Sequence, residues 1–270
     1  MLTTNTSEQV GDILRRWRKV RHLSQMELAL AANVSTRHLS FVETGRARPG
    51  YDLLLRLAEV LQLPLRHSNA LLVAGGFAPH YTDWSLDDDR TGMIRAALEH
   101  LLKQHNPYPA VVVDRNYEVV MHNAGFEAAV LWLTDDATTL HRYTNMFRLM
   151  FADDGLRPYI TNWRALEHVL LKRLYDESIV YQSEALMALY RELAGENDLL
   201  QPPPLDDDPT GFDPQVPVVT VKLCKDDVHL ALFSTMTTFG TAIDVTIQEL
   251  RIESFFPADE STQAFFQQMG

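Results

Sequence analysis

Residues 24–50 read SQMELALAANVSTRHLSFVETGRARPG, and the spacing of their cap residues decides the fold of this part of the chain. Ser24 is followed three residues later by Glu27, a capping box that predicts the start of a helix at Ser24. Ser35 is the next residue suited to cap a helix, and it follows after only a short gap. Two short helices joined this closely predict a helix-turn-helix.

The second helix of this pair is predicted to have one buried and one exposed face. On a helical wheel, Leu39 and Val42 mark the buried side. The opposite side presents hydroxyls, a guanidinium group and an aromatic ring, which are able to read base edges and a thymine methyl group in a major groove. We expect contacts with bases from Thr36, Arg37, Ser40 and Phe41. Thr36 and Arg37 are the main expected contacts, and Ser40 and Phe41 support them.

A basic loop follows that helix. Gly45 is predicted to end the helix in a left-handed conformation, and Arg46 and Arg48 suit contacts with phosphates. Gln25 and Ser35, each near a helix N-terminus, are the other expected backbone contacts. The pattern favours double-stranded DNA as the partner, although the same arginines would also suit a bundle that needs them only for solubility or that binds a partner protein.

These residues resemble the helix-turn-helix of lambda-type repressors, the Xre family. The shared marks are Ser-Gln at the second helix, Leu-Ala within it, Ser at the third helix and Glu-x-Gly-x-x-x-Pro after it. GDILRRWRKVRH precedes this region, and YDLLLRLAEVLQLP and LRHSNALLVAGG follow it, each with apolar residues at helical spacing. The resemblance implies an all-α, five-helix DNA-binding domain, which we place at residues 1–80.

The charge of the chain is distributed unevenly. The net charge is -12 over 270 residues, yet residues 1–67 hold ten Lys or Arg and only six Asp or Glu. Phosphate affinity depends on local charge, so the acidic remainder does not exclude DNA binding. The length favours two domains, and the polar, acidic residues 81–92 are the predicted linker between them.

Residues 93–270 are predicted to form an α+β domain with a five-stranded antiparallel sheet. Two short strands, a tight turn between them and Asn123 capping a helix form the pattern with which PAS domains begin. The predicted strands are 110–113, 117–122, 216–224, 228–239 and 243–256. Two helices, 156–175 and 184–194, are predicted between strands two and three. Residues 201–217 are predicted to form a loop.

Taken together, the two parts resemble the MmyB-like regulators, in which a helix-turn-helix precedes a PAS-like ligand-binding domain. The stretches that carry the resemblance are STRHLSFVETGRARPG, NALLVAGGFAPHY, PAVVVDRNYEVVMHN, GLRPYITNW and TFGTAIDVTIQELRIESFFPADE. The resemblance implies a transcription regulator whose second domain holds a small apolar molecule, with fatty-acid-like ligands as the leading class. Composition and periodicity do not themselves indicate that ligand.

A PAS sheet with helices across one face can enclose an apolar cavity. Arg157 is the expected partner of a carboxylate head group, unless it only holds its own loop together. We expect a set of large side chains to line this cavity, although each of them could instead pack in the core without contacting a ligand. These side chains are Phe126, Trp132, Phe147, Met150, Trp163, Phe233, Met236 and Phe239.

No other cofactor is clearly indicated. Cys224, the single cysteine, lies in a late predicted strand instead of on the helix where a flavin PAS domain needs it. Heme is a minor alternative that would use one of the histidines 122, 141 or 168. The adjacent carboxylates at 87–89 indicate a solvated loop better than a metal site, and no catalytic motif occurs, so we expect neither a metal nor an enzyme.

We therefore expect a cytoplasmic, homodimeric repressor or activator. The first residues lack the features of a secretion signal, and no run of eighteen apolar residues occurs, so no membrane partner is expected. The apolar stripe of the helix predicted at residues 90–105 is expected to pack either on its own domain or on the same helix of a second subunit. The alternative function is a helix-turn-helix protein whose second domain serves dimerisation or protein interaction without a regulatory ligand.

Overall fold

The computed structural model describes residues 9–195 and 218–269. Within these ranges the chain forms two compact units. The first unit comprises the described residues up to Trp84 together with Thr241–Gln248, and the second comprises the remaining described residues. None of the described helices is both long and apolar enough to cross a membrane.

The first unit is built on five helices around one apolar core. They are α1 (Val10–Val20), α2 (Gln25–Ala31), α3 (Thr36–Glu43), α4 (Tyr51–Val60) and α5 (Leu65–Ala74). The predicted capping box is confirmed, because Ser24 Oγ accepts the Glu27 N–H at 3.2 Å and the Ser24 N–H donates to Glu27 Oε2 at 2.7 Å. The core is centred on Trp17, which is fully buried. The predicted five-helix domain is thereby confirmed.

Helix α1 passes very close to the end of α3. A Cβ atom at Gly11 would lie 2.2 Å from the Glu43 carbonyl oxygen, so only glycine allows this approach. The close packing also brings Arg18, two turns further along α1, to the Glu43 side chain.

The second unit contains a five-stranded sheet with strand order β2-β1-β5-β4-β3, in which all neighbouring strands are antiparallel. Its strands are β1 (Ala110–Val113), β2 (Val119–His122), β3 (Thr220–Lys225), β4 (Val228–Thr238) and β5 (Arg251–Pro257). The remaining α-helices among the described residues are α6 (Gly92–His105), α7 (Ala124–Thr134), α8 (Thr139–Arg142), α9 (Met146–Phe151), α10 (Trp163–Val180), α11 (Glu184–Ala194), α12 (Val245–Glu249) and α13 (Glu260–Met269).

The pairing of β4 with β5 determines which side chains face the helices. Met236 lies opposite Glu253, and Ser234 lies opposite Phe255. Because alternate residues of a strand point to opposite faces, these four share one face of the sheet. Leu232, two residues before Ser234, is a core residue, so this face is the one that packs on the helices.

Several predicted elements are confirmed and three begin later than expected, among them β3, which begins at Thr220 instead of residue 216. Strand β1, helix α11 and the Asn123 cap of α7 match the predictions. Helix α10 begins at Trp163 instead of residue 156, because Pro158 lies in a short 3-10 turn and Ile160 forms a bridge with β3. Strand β2 begins at Val119, since Tyr117 has a φ of 65° that is incompatible with a strand.

The prediction that residues 243–256 form one strand is wrong in its first half. Residues Val245–Glu249 form helix α12, and only Arg251–Pro257 form a strand. Ile243, Val245 and Ile247 alternate with polar residues as in a strand, but the Asp244 carboxylate accepts the Ile247 N–H at 3.2 Å and so caps a helical turn. Tertiary burial of Val245 and Ile247 therefore overrides the local pattern.

Residues 241–248, which include most of α12, are hydrogen-bonded into the first unit. The Val245 N–H donates to the Thr82 carbonyl at 2.8 Å, and Asp244 Oδ2 accepts the Trp84 N–H at 3.1 Å. Gln248 Oε1 accepts the Leu65 N–H at 2.8 Å, which caps α5 where the preceding Pro64 has no side-chain acceptor. The connection between β4 and β5 thus completes the helical unit, and residues 81–84 of the predicted linker also belong to that unit.

The predicted loop at 201–217 lies outside the described residues.

Candidate DNA-binding surface and ligand cavity

Helix α3 has the two faces that its sequence predicts. Leu39 and Val42 are 1% exposed, whereas Thr36 and Arg37 are exposed. Ser40 and Phe41 are half-buried beside them. The four residues assigned to bases are Thr36, Arg37, Ser40 and Phe41, and they share the outward side of one short helix.

The Arg37 guanidinium is held along this helix by its neighbour one turn away. Its central carbon lies 5.3 Å from the centre of the Phe41 ring, which is a cation–π distance. At the start of the helix, Ser35 Oγ accepts the His38 N–H at 3.1 Å and so caps α3. The Ser35 hydroxyl keeps its hydrogen as a donor for a phosphate.

The loop after α3 begins with a left-handed residue, as predicted. Gly45 has a φ of 72°, its N–H donates to the Val42 carbonyl at 3.1 Å, and the Arg46 N–H donates to the Phe41 carbonyl at 2.8 Å. Arg46 and Arg48 are both exposed. In residues 9–195 and 218–269, no acidic side chain forms an ion pair with either of them or with Arg37.

A buried carboxylate behind this surface was not predicted. Glu43 is 1% exposed, and Arg18 donates to both of its oxygens, at 2.8 Å from Nε and 3.1 Å from Nη2. Gln25 Nε2 donates to the same carboxylate at 2.7 Å, and this hydrogen bond fixes the position of the Gln25 amide. The second N–H of that amide can still donate to a DNA phosphate, which is the role expected of Gln25. The signal in the sequence was a glutamate four residues after Leu39, on the apolar side of the helix.

The second unit contains a cavity of about 260 Å³ between α9, α10 and the sheet. Most of its wall is apolar, and its polar side chains come from α10, β4, β5 and the turn between β1 and β2. The lining residues are Tyr117, Met146, Phe147, Met150, Leu166, Val169, Leu170, Arg173, Val218, Val219, Val221, Ser234, Glu253 and Phe255.

Two of the predicted lining residues, Phe147 and Met150, line this cavity. Met236 lies behind its wall, where it accepts a contact of 2.8 Å from Arg173 Nη2. The other aromatic residues are packed elsewhere in the unit. Phe126 is a buried core residue, Trp132 packs on Phe265, Trp163 packs on Phe151, Phe233 stacks on Phe256 on the other face of β4, and Phe239 follows the end of β4.

Arg157, the expected head-group partner, does not line this cavity. Its Nη1 donates to Asp153 at 3.1 Å, and its guanidinium lies 5.3 Å from the centre of the Trp163 ring. The cation that lines the cavity is Arg173 of α10. Sequence analysis missed it because α10 is weakly amphipathic, so its spacing does not show which face is inward. Of the described histidines, none lines the cavity.

A polar network supports Arg173 beneath the cavity. The Tyr117 hydroxyl donates to Glu177 Oε1 at 2.9 Å, and Arg251 Nη1 donates to Glu177 Oε2 at 2.6 Å and to the Tyr117 oxygen at 2.8 Å. Arg173 lies over the Tyr117 ring, with its central carbon 5.4 Å from the ring centre. Burial raises the pKa of Tyr117 above its usual value, so the hydroxyl remains a donor at neutral pH.

Comparison with known families accounts for both units. Residues 94–269, more than half of the chain, match the family of the MmyB-like transcription regulator ligand binding domain. The chain belongs to the MmyB-like transcription regulators. Residues 14–67 of this MmyB-like protein also match a helix-turn-helix family.

Two similar individual proteins each match about a quarter of the MmyB-like chain. Transcriptional regulator ClgR of Mycobacterium tuberculosis (strain ATCC 25618 / H37Rv) is 41% identical over 68 residues, which are 25% of this chain and 59% of that protein. The ImmF control region 10 kDa protein of Bacillus phage phi105 is 36% identical over 58 residues, 22% of this chain and 64% of that protein. The chain thus spans less than two thirds of the length of these relatives.

Among solved structures, the clp gene regulator ClgR from Corynebacterium glutamicum is similar to 35% of the chain. The match covers 84% of that structure, at 24% sequence identity and a TM-score of 0.22.

Proposed function

We propose that this MmyB-like protein is a cytoplasmic, homodimeric transcription regulator that binds an operator through α3 and whose operator affinity is modulated by a small, fatty-acid-like ligand in its second domain. The observation that carries the proposal is the outward face of α3, flanked by Arg46 and Arg48. Exposed arginines that have no acidic partner among the described residues, on a helix and in the loop after it, suit a duplex, because the phosphates of DNA supply the negative charge that they lack.

In the proposed complex, α3 lies in the major groove. Arg37 and Thr36 contact bases, with Ser40 and Phe41 in support. The side chains that position the DNA backbone are Gln25, Ser35, Arg46 and Arg48. Two such helices in a dimer would lie about 34 Å apart and read a roughly palindromic site.

The proposed dimer is supported by an unpartnered stripe on α6. Leu98 and Leu102 are buried in their own unit, whereas Met93 is 81% exposed and Leu101 is 48% exposed. With Ala97 these two residues follow a spacing of four, so they form one apolar strip on the helix surface. We propose that this strip packs against the same strip of a second subunit.

Operator selection tests the DNA part of the proposal. The full chain is used to enrich binding sites from a random duplex library, and the affinity for the best site is then measured over a range of salt concentrations. We expect a palindromic site and a logarithm of affinity that falls linearly with the logarithm of salt concentration, by about 0.9 for each neutralised phosphate. Failure to bind any duplex at low salt would refute DNA binding.

We interpret the second unit as a PAS-like ligand-binding domain on the basis of its strand order and its cavity. A cavity of about 150 Å³ holds benzene, so 260 Å³ suits roughly ten non-hydrogen atoms. That is the size of octanoic acid. The apolar wall favours its alkyl chain, and Arg173 is the proposed partner of its carboxylate.

The connection between β4 and β5 supports ligand control of DNA binding. These strands carry the cavity residues Ser234 and Glu253, and residues 241–248 between them are bonded into the helical unit. A ligand that shifts the two strands would therefore act directly on a segment that caps α5. A ligand can change operator affinity in this way only if it binds one of two arrangements of these strands more tightly than the other.

Titration of operator affinity with and without octanoic acid tests this part of the proposal. We expect a shift in the wild-type protein and a smaller shift in Gln248→Ala, which removes the cap on Leu65. Thr246→Val is the matched control, because the Thr246 hydroxyl donates to the exposed Asp83 carboxylate and does not cap α5. Equal operator affinities with and without the acid would favour a dimerisation or interaction module without a regulatory ligand.

A further inference from the structure

One wall residue of the cavity is a carboxylate whose charge the chain does not neutralise. Glu253 is 9% exposed and lines the cavity from β5. Ser234 Oγ donates to its Oε1 at 2.7 Å. In the described part of the chain, no lysine or arginine forms an ion pair with Glu253, and no donor reaches its Oε2. Burial of an ionised carboxylate is unfavourable unless donors or a cation compensate it.

Glu177, in the same unit, is a carboxylate whose hydrogen-bonding and charge requirements are met by the protein itself. Glu177 receives the Tyr117 hydroxyl and Arg251 within 2.9 Å, and Arg173 Nε lies 3.5 Å from it. Glu177 is therefore fully partnered by the chain, whereas Glu253 faces a cavity with a single neutral donor. The missing partner of Glu253 is best supplied by whatever occupies the cavity.

Arg173 faces the same cavity with donors to spare. Its Nη2 contacts the sulfur of Met236, a weak acceptor, and its Nε makes only the long contact with Glu177. Met236 lies directly opposite Glu253 across β4 and β5. The Cβ atoms of such a pair are about 5 Å apart, so the Arg173 guanidinium and the Glu253 carboxylate line neighbouring parts of the wall.

We propose that the ligand is a medium-chain carboxylic acid that carries a hydrogen-bond donor, either a hydroxyl or an ammonium group, close to its carboxylate. The carboxylate binds Arg173, the donor binds Glu253 and the alkyl chain fills the apolar part of the cavity. A plain fatty acid satisfies Arg173 but leaves Glu253 without a partner and brings a second negative charge near it. This inference rests on the proposed ligand-binding function and narrows its ligand class.

The test is a calorimetric measurement of dissociation constants for the full chain with four acids. The acids are octanoic, 3-hydroxyoctanoic, 3-aminooctanoic and 8-hydroxyoctanoic acid. We expect at least one 3-substituted acid to bind about tenfold or more tightly than octanoic acid, because a hydrogen bond to an ionised, buried acceptor is stronger than a neutral one. The 8-hydroxy acid has the same atoms as the 3-hydroxy acid with the donor at the wrong end, and we expect it to bind no better than octanoic acid.

The variant Glu253→Gln keeps the shape of the side chain and removes its charge. We expect the preference for the 3-substituted acids to fall to about threefold or less, while octanoic acid binds equally well or better because a repulsive charge is gone. The tighter of the two 3-substituted acids identifies the donor as hydroxyl or ammonium.

The outcomes separate this inference from the proposed function. If the wild-type protein binds octanoic acid as tightly as both 3-substituted acids, the inference is overturned while ligand binding stands. If no acid binds, both are overturned. If a 3-substituted acid binds most tightly but leaves operator affinity unchanged, the ligand assignment is supported and the proposed control of DNA binding is refuted.

Discussion

The buried ion pair behind α3 allows a quantitative prediction. The Glu43 side chain is fully buried and the Arg18 side chain is 14% exposed, so Arg18→Met leaves a carboxylate in the core with only the Gln25 amide to compensate it. Removal of one partner from a buried ion pair costs about 3–5 kcal/mol. Because Gln25 remains, we expect a loss near the lower end, about 3 kcal/mol of the free energy of unfolding of the first unit.

Hydrogen–deuterium exchange of the full chain, read on peptides from α1 and α3, measures this loss within the correct unit. A loss of about 3 kcal/mol speeds exchange through unfolding by about 150-fold. The control is the double variant Arg18→Met with Glu43→Met, which removes both charges and fills the same space. We expect it to recover to within about 1 kcal/mol of the wild-type stability.

The reasoning would be refuted if Arg18→Met and the double variant lost the same stability, because the loss would then come from packing and not from the unpaired charge.

Three further predictions concern DNA binding, helix capping and dimerisation. Arg37→Ala should weaken the best operator by about 1–3 kcal/mol and relax the preference at one base pair, whereas Arg46→Ala should weaken all duplexes similarly and reduce the salt slope by about 1 in binding assays. Ser24→Ala should cost about 1 kcal/mol at neutral pH. Hydrogen bonds from the backbone and side chain of Ser24 lower the pKa of Glu27, so this cost should shrink in unfolding curves as the pH falls below 4.5 and Glu27 is protonated. Leu101→Glu should convert the proposed dimer to a monomer in sedimentation experiments.

The candidate DNA-binding surface could be predicted from sequence nearly residue by residue. Caps at Ser24 and Ser35, the left-handed Gly45 and the wheel of α3 all depend on residues within one or two turns of each other. Such local interactions leave a readable spacing in the chain. The Glu43 ion pair could not be predicted, because its partner Arg18 lies 25 residues away on another helix.

The cavity shows the opposite case. Large side chains suited its lining, yet only Phe147 and Met150 of the expected set line it, because strand register and helix rotation decide which face is inward. Phe233 and Ser234 are neighbours in sequence but lie on opposite faces of β4. For the same reason the cation at the cavity is Arg173 and not Arg157.

The amino-acid sequence alone determined the helix-turn-helix, its exposed arginines, the two-part organisation and the α+β class of the second part, because each follows from capping, periodicity or charge between residues close along the chain. Only the tertiary structure decided that residues 241–248 belong to the first unit, with helix α12 beginning at Val245, that Glu253 faces a cavity beside Arg173, and that Glu43 is buried against Arg18. Those features arise from contacts between distant segments, and the energy of such contacts leaves no periodic trace in the sequence.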